Sequence, residues 1–446
     1  MLKIAFLLIG PAAFRPVWML VAALGLGVVS LAGGVVWDAL DGEARLSHQL
    51  FGSLFLMVAL FHLVAVTNAP DRRELVHRLW RLALPLAVAA ALLAPPSLQG
   101  DWIASVVIAL ALVIDGVIRL GIALVVHVPG WRRNTLVALA QLGGAAGLFW
   151  QWPLAPEPNI ALVLALSLAL SGWVLLRMGL HLRRLDDKTS ILRSTLYSTR
   201  DWHAHAPSFA DPEMPRSPDE RPLMMYNWMP SGAPNVTMRL PVIDRYFAVP
   251  DTDGGMSSGH VSLELGADFY VSYYPNEEIE RSSSDFINTM SGEPTHNMEG
   301  SFVPSFAFEV EDWRAPNRQF MLRRFSERRL RAYWDSFRQD KTYSLVNRNC
   351  AVAVGPGLEA AMEGVHAGPR PFLRLLRLMV DPGLWLAALI RGRADFLTWT
   401  PGFVVDYMGE LNRMLDQCEQ GMGLRAAFPS APGMVGQDFP PVCDEA

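Results

Sequence analysis

The sequence predicts two unlike halves: an all-α polytopic membrane domain of six transmembrane helices in three hairpin repeats, followed by an α+β cytoplasmic domain. Three observations predict this. Apolar residues make up 51% of the 446 positions, and the mean hydropathy of +0.22 is too high for an ordinary soluble chain of this size. The apolar residues are concentrated in residues 16–184, whereas residues 185–446 hold most of the charges and prolines and all three cysteines. After residue 237 the long apolar runs give way to short alternating stretches punctuated by Gly, Asp and Pro, the texture of strands and turns. A formal charge of −5 without a basic block excludes a nucleic-acid partner.

Residues 1–15 read as an interfacial lead-in, because Pro11 and Arg15 interrupt the opening apolar run. The membrane domain follows over 16–184. Its candidate spans are 17–36, 50–66, 79–93, 103–126, 135–150 and 160–182, each near the roughly 20 apolar residues that cross a bilayer or short enough to need tilt. They pair into hairpin units of about 55 residues. Lys3, Arg15, Arg72, Arg73, Arg132, Arg133, Arg183 and Arg184 fall on one side of the spans, and Asp38, Asp41, Glu43, Asp101 and Glu157 on the other. The positive-inside rule therefore expects a multi-pass protein of a bacterial-type inner membrane, with both termini and the C-terminal domain cytoplasmic. Asp115 and Arg119 stand four apart on one helix face and can pair. His48 and His62 are expected to be structural or interfacial. Gly25, Gly27, Gly33, Gly34, Gly143, Gly144 and Gly147 are expected to allow close helix approach.

The stretches WRLALPLAVAAALLAPPSLQGDWIASVVIALALVIDGVIRLGIAL and LVLALSLALSGWVLLRMGL give the membrane half a repeated hairpin texture. In this it resembles the HdeD family of six-helix membrane proteins. That resemblance implies a role in acid and general stress resistance and supplies no catalytic residues.

Residues 185–236, rich in Pro, Asp, Ser and Met, read as a linker. Asp201, His203, His205 and Asp211 fall within it, and their irregular setting favours a surface loop over a metal site. Residues 237–410 carry the α+β domain. Its expected strands begin at Met238, Gly259, Phe269 and Ser305. Gly266, Ala267 and Asp268 make the turn of a hairpin over 259–275, which sets Ser272 opposite Ser262 and Tyr274 opposite His260. A helix is expected over 326–338, and residues 411–446 form a C-terminal helix and tail. The run 370–393 is apolar with interspersed arginines and is broken by Asp381, Pro382 and Gly383, so neither half can span a bilayer. It suits a helix pair on the membrane surface, a hydrophobic lid, or a face docked on the membrane domain.

The chemistry centres on YSLVNRNCAVAV, residues 343–354. Cys350 stands where a helix can begin, and the helix dipole and unpaired N–H groups there favour thiolate. His260 opens the strand GHVSLEL some ninety residues earlier. A thiol beside an imidazole is the minimum for nucleophilic acyl chemistry. Asn347 and Asn349 carry amides suited to orienting the imidazole or donating to an oxyanion. The order GHVSLEL, YVSYYP, an aromatic helix and then YSLVNRNCA resembles the circularly permuted papain-like enzymes, which include NlpC-like hydrolases and lecithin:retinol acyltransferase-like enzymes. The TWTPGFVVDYM run resembles the closing segment of such domains. This resemblance implies a permuted papain-like fold, Cys350 as nucleophile and His260 as base. The third polar member stays open among Ser272, Tyr274 and, more weakly, Glu264. Gly355, Pro356 and Gly357 so soon after the cysteine predict a short or kinked helix.

The expected function is a stress-associated inner-membrane protein with a cytoplasmic cysteine hydrolase of peptidase or amidase type. Two alternatives remain: a thiol acyltransferase acting on lipid or membrane-protein substrates, and a non-catalytic scaffold. No cofactor or metal is expected. The partners are the lipid bilayer and a peptide, amide or lipid substrate, with homo-oligomer formation left open.

Overall fold

In the computed structural model the described residues are 1–40, 101–150, 156–185, 189–194, 200–209, 221–229, 256–276 and 289–427, with scattered positions between. Among the described residues the chain is mostly helical, with three candidate membrane-spanning helices in the N-terminal half and a sheet-containing C-terminal region. The apolar stretches long enough to span are Pro11–Leu40, Ile108–Val125 and Ala161–Leu182. Parts of the second and third expected spans lie outside the described residues, as do His48 and His62.

The N-terminal helices are α1 (Leu2–Ile9), α2 (Trp18–Leu40), α3 (Asp101–Val125), α4 (Trp131–Trp150) and α5 (Pro156–Leu182). Helix α1 departs from the expected interfacial segment. Residues Ile4 to Ile9 are fully buried in the core of the C-terminal domain, and the carbonyls of Leu7 and Leu8 accept from Gly364 N at 2.8 Å and His366 N at 2.6 Å. Gly10 then turns the chain toward the first apolar helix with φ 85, a conformation that favours glycine.

Helices α2 and α5 run antiparallel in backbone contact. A Cβ on Gly25 would lie 2.4 Å from Leu176 N, one on Gly172 2.7 Å from Gly25 O, and one on Gly179 2.6 Å from Ala22 N. Of the expected contact glycines Gly25 has this role, whereas Gly27, Gly33, Gly34 and Gly143 face open space. Helix α3 packs on α4, so α4 and α5, expected as one hairpin, take different principal partners. Asp115 accepts from Arg119 Nη2 at 3.3 Å and from Gln141 Nε2 at 2.6 Å. It also meets Arg393 from the C-terminal region, which ties the two halves together.

The strands are β1 (Leu223–Trp228), β2 (Val249–Pro250), β3 (Met256–Ser257), β4 (His260–Glu264), β5 (Tyr270–Val271), β6 (Tyr273–Pro275), β7 (Met298–Phe302), β8 (Arg318–Leu322) and β9 (Thr342–Tyr343). Four form an antiparallel sheet in the order β5-β4-β1-β8, and three form a second sheet, β6-β7-β9. Strand β1 lies within the expected linker yet is central to the first sheet, so the C-terminal domain begins well before residue 237. The same stretch also supplies Arg200, whose guanidinium donates to Leu397 O at 2.8 Å and Val346 O at 3.0 Å. The hairpin keeps the expected register, with Leu263 opposite Val271 and Glu264 opposite Tyr270.

The C-terminal helices are α6 (Phe306–Asp312), α7 (Glu327–Phe337), α8 (Cys350–Met362), α9 (Pro371–Met379), α10 (Pro382–Phe396) and α11 (Pro401–Ala427). Helix α6 replaces the strand expected from Ser305. The alternation of Phe306, Phe308 and Val310 imitates a strand, but Ser305 caps a helix by accepting from Phe308 N at 3.2 Å. Helix α8 continues through Pro356 to Met362 rather than stopping short. Proline removes the N–H that would bond the Val352 carbonyl. The buried Tyr333 hydroxyl supplies that bond at 3.1 Å. Gly355 and Gly357 let Trp399 and Tyr333 pack onto the helix, at 3.0 Å and 3.1 Å from where a Cβ would stand. Further along α8, fully buried Glu359 accepts from Arg391 Nε at 2.7 Å and from the Tyr407 hydroxyl at 2.9 Å, and it meets His203 Nε2 at 2.6 Å. Burial opposes its charge, but Arg391 and His203 hold its carboxyl down at about 2. This network fixes the helix that carries Cys350.

Candidate active site

Cys350 is the first residue of α8, and Asn349 is its cap. The Asn349 Oδ1 accepts from Val352 N at 2.8 Å, and its Nδ2 donates to Leu345 O at 2.7 Å and Trp399 O at 3.0 Å. Asn347 is equally committed, accepting from Arg200 Nη2 at 2.7 Å and donating to Gly292 O at 3.0 Å. Both amides therefore build the loop and cap that present the cysteine, and neither faces the imidazole. Ala353 N bonds the Asn349 carbonyl, so the Cys350 and Ala351 N–H groups stand at the helix start, the former against the Tyr343 hydroxyl. Such groups, with the dipole behind them, favour negative charge.

His260 begins β4, opposite Trp228 on β1. Its imidazole is buried and interacts with the Cys350 thiol. Its Nε2 lies 3.0 Å from Ser272 Oγ and 3.0 Å from Glu309 Oε1, which leaves Nδ1 as the nitrogen for the thiol. The Tyr274 ring stacks on the imidazole with centroids 4.0 Å apart and planes 18° from parallel. Trp228 and Trp313 complete an aromatic enclosure at 5.5 Å and 6.4 Å.

Glu309 is the member that sequence reasoning missed. It is 2% exposed and points inward from α6. Its carboxylate accepts from Ser272 Oγ at 2.8 Å and from the Tyr270 hydroxyl, and Tyr270 is in turn 2.9 Å from Ser262 Oγ. His260, Ser272 and Tyr270 thus converge on one buried charge, as a buried carboxylate requires. Of the expected third members, Ser272 bridges His260 and Glu309, and Tyr274 covers the ring. The Tyr274 hydroxyl lies beside Glu309 without a well-formed hydrogen bond. Glu264 is elsewhere, accepting from the Tyr226 hydroxyl at 2.6 Å. A signal for Glu309 existed: it is an acid among aromatic residues four positions after a capping serine.

Electrostatics agree with this geometry. Burial pulls the His260 pKa down, but Glu309 and then Cys350 outweigh it, and the imidazole is pushed up to about 9. Burial raises the Glu309 carboxyl, but His260, Tyr270 and Ser272 hold it down at about 2. At neutral pH the pair is imidazolium and carboxylate. Buried Tyr343 lies against Cys350 and its backbone N–H; burial and the nearby thiol push its phenol well above the ordinary value. It stays protonated and able to donate.

Cys350 is 6% exposed. Trp313, 43% exposed, stands beside the site, and Phe308 on α6 is 51% exposed. A groove of about 440 Å³ opens beside Tyr270, lined by Asp268, Phe302, Arg331 and Trp334, and does not include Cys350 or His260. The His203 and His205 side chains are spent on protein partners: His203 meets Glu359, and His205 lies 3.1 Å from Ser336 Oγ and 3.0 Å from Arg348 Nη1. Among the described residues no group of three or more His, Cys, Asp or Glu side chains is placed to hold a metal ion. In comparisons with known proteins, the chain matches no protein-family model, no curated protein and no solved structure.

Proposed function

We propose that the chain is a membrane-associated thiol enzyme of acyl chemistry, a cysteine hydrolase of peptidase or amidase type, with Cys350 as nucleophile, His260 as general base and acid, and Glu309 as the group that orients and charges the imidazole. The observation that carries the reading is the convergence on His260: thiol on one side, buried carboxylate on the other. A histidine held between a thiol and a hydrogen-bonded carboxylate is the arrangement that activated nucleophiles share.

With His260 already protonated and holding the proton that Cys350 gives up, the Cys350 thiolate Sγ attacks the substrate carbonyl to form an S–C bond. The oxyanion faces the Cys350 N–H, with the Tyr343 hydroxyl beside it. His260 returns its proton to the leaving amine or alcohol as the C–N or C–O bond breaks, leaving a thioester. Water, deprotonated by the now neutral imidazole, then releases the acid. The exposed Trp313 ring beside the site suits an apolar acyl group. The membrane-spanning helices favour substrates in or near the bilayer, so an amine or hydroxyl of a lipid or membrane protein in place of water gives the transferase variant of the same chemistry.

The test is alkylation of Cys350 by iodoacetamide across pH, in membranes, with Cys418 and Cys443 replaced by Ser. Rapid alkylation below about pH 8.5, the ordinary thiol value, that slows in His260→Ala supports the reading. A slow rate indifferent to His260 leaves the scaffold alternative.

A further inference from the structure

At the far end of α8 from Cys350, a cluster of cations surrounds a buried histidine. His366 is 7% exposed, and its Nε2 has no hydrogen-bond partner among the described residues. Arg374 on α9 is fixed against the same loop, donating to Pro369 O at 3.1 Å, His366 O at 3.0 Å and Ala367 O at 3.2 Å. Its guanidinium lies over Gly368, where a Cβ would clash with it, and Gly368 takes φ 152. The next turn is strained as well: Arg370, a non-glycine residue, sits at φ 59, a conformation that costs free energy and gathers at ligand sites. Burial and the charges of Arg374, Arg324 and Arg377 hold the His366 imidazole down at about 3. The charged groups acting on it are all cations.

The surroundings say what kind of anion suits this cluster. Helix α9 exposes Leu373 at 56% and Leu376 at 53%, one helical turn apart, with Arg370 and Arg377 also exposed. Its Phe372 ring meets Phe14 at 5.8 Å, at the start of the apolar helix Pro11–Leu40. On the next helix Leu386 and Leu389 are exposed too. Apolar side chains and arginines alternating beside the start of a membrane span are what the headgroup layer receives: leucines go to the acyl region and guanidiniums to the phosphates.

We propose that α9 lies in the bilayer interface and that its exposed Arg370 and Arg377, with buried Arg374 behind them beside His366, bind the phosphate of an anionic phospholipid headgroup, with acyl chains along Leu373 and Leu376. This site is separate from the thiol site and stands whether or not the acyl chemistry does.

The test uses the full chain and two measurements. In the first, protein in mixed micelles of phosphatidylglycerol and phosphatidylcholine is examined by native mass spectrometry for retained lipid. We expect phosphatidylglycerol to be retained preferentially, with the preference falling about fivefold in Arg377→Gln. It should be unchanged in Arg338→Gln, an exposed arginine at the end of α7 that is paired with Asp335. In the second, a nitroxide at Leu376→Cys, with Cys350, Cys418 and Cys443 replaced by Ser, reports its depth in phosphatidylglycerol nanodiscs. It should be accessible to oxygen and shielded from a water-soluble nickel chelate. Equal retention of the two lipids, a preference equally lost in Arg338→Gln, or a label open to the chelate overturns the proposal. Abolition of phosphatidylglycerol retention by millimolar inorganic phosphate would assign the cluster to a free anion and overturn the lipid assignment.

Discussion

Glu309→Gln keeps the size of the side chain and removes the charge that His260 depends on. In the intact site the imidazole is pushed up to about 9 from an ordinary 6.5, with Glu309 the largest raising influence and burial opposing it. Without the carboxylate, burial acts against the imidazolium with only Cys350 to counter it. The gap from 9 to 6.5, at roughly 1.4 kcal/mol per pH unit, is about 3 kcal/mol of imidazolium stabilisation. Cys350 retains part of this, so about 2 kcal/mol is the working figure, or roughly a 30-fold loss. The assay is iodoacetamide alkylation of Cys350 from about pH 5 to pH 9, spanning the histidine and thiol ranges. Wild-type alkylation should hold its rate on the acidic side. The Glu309→Gln rate at pH 6 should be at least about tenfold lower and recover only at alkaline pH. Far-ultraviolet circular dichroism checks that both proteins are folded. Superimposable rate profiles from two folded proteins would refute the reasoning.

Four further outcomes follow from the same structure. Because His260 is raised from 6.5 to about 9, its contribution to stability is complete below pH 6.5 and is lost as pH rises through 9. Denaturant unfolding should therefore weaken over that window by up to about 1.4 kcal/mol per pH unit, and His260→Ala should flatten the slope. Tyr333→Phe leaves the Val352 carbonyl, already deprived of its helix partner by Pro356, without the hydroxyl now 3.1 Å away; unfolding should show a loss of about 1–3 kcal/mol. Gly172→Ala places a methyl 2.7 Å from Gly25 O and should cost about 1–3 kcal/mol in detergent-resistance measurements, whereas Gly27→Ala, in open space, should be neutral. Glu359→Ala strips Arg391 and Tyr407 of their shared acceptor and should lower stability by about 3–5 kcal/mol, read as a drop in melting temperature.

Much of the site was legible because it is written locally. The turn at Gly266 to Asp268 set the register that brings Ser272 and Tyr274 to His260, and Asn349 before Cys350 marked the start of a helix. Glu309 was not legible, because Phe306, Phe308 and Val310 alternate as in a strand and the cap at Ser305 decided otherwise. Asn347 and Asn349 looked free for catalysis in one dimension; only the folded chain brings Arg200, Gly292 and Trp399 to their amides. Strand β1 was hidden between prolines in a Met-rich stretch with weak strand propensity, and a central strand takes its stability from its two neighbours rather than from its own residues. Helix α1 is apolar except for Lys3, a pattern that suits a buried core as well as a membrane surface. In the same way glycines in apolar helices look alike until partners are assigned, and Gly172 and Gly179 matter because α5 is the partner of α2.

The most direct test of the central claim is to look for the acyl-enzyme itself. The full chain is incubated with p-nitrophenyl butyrate and its intact mass is measured, before and after hydroxylamine, for wild type, Cys350→Ala, His260→Ala and Glu309→Gln. A butyryl adduct on Cys350 that hydroxylamine removes is expected, absent in Cys350→Ala and formed far more slowly in the other two variants. An adduct that forms equally fast without His260 and Glu309, or no adduct on a folded, membrane-embedded protein, would contradict the claim.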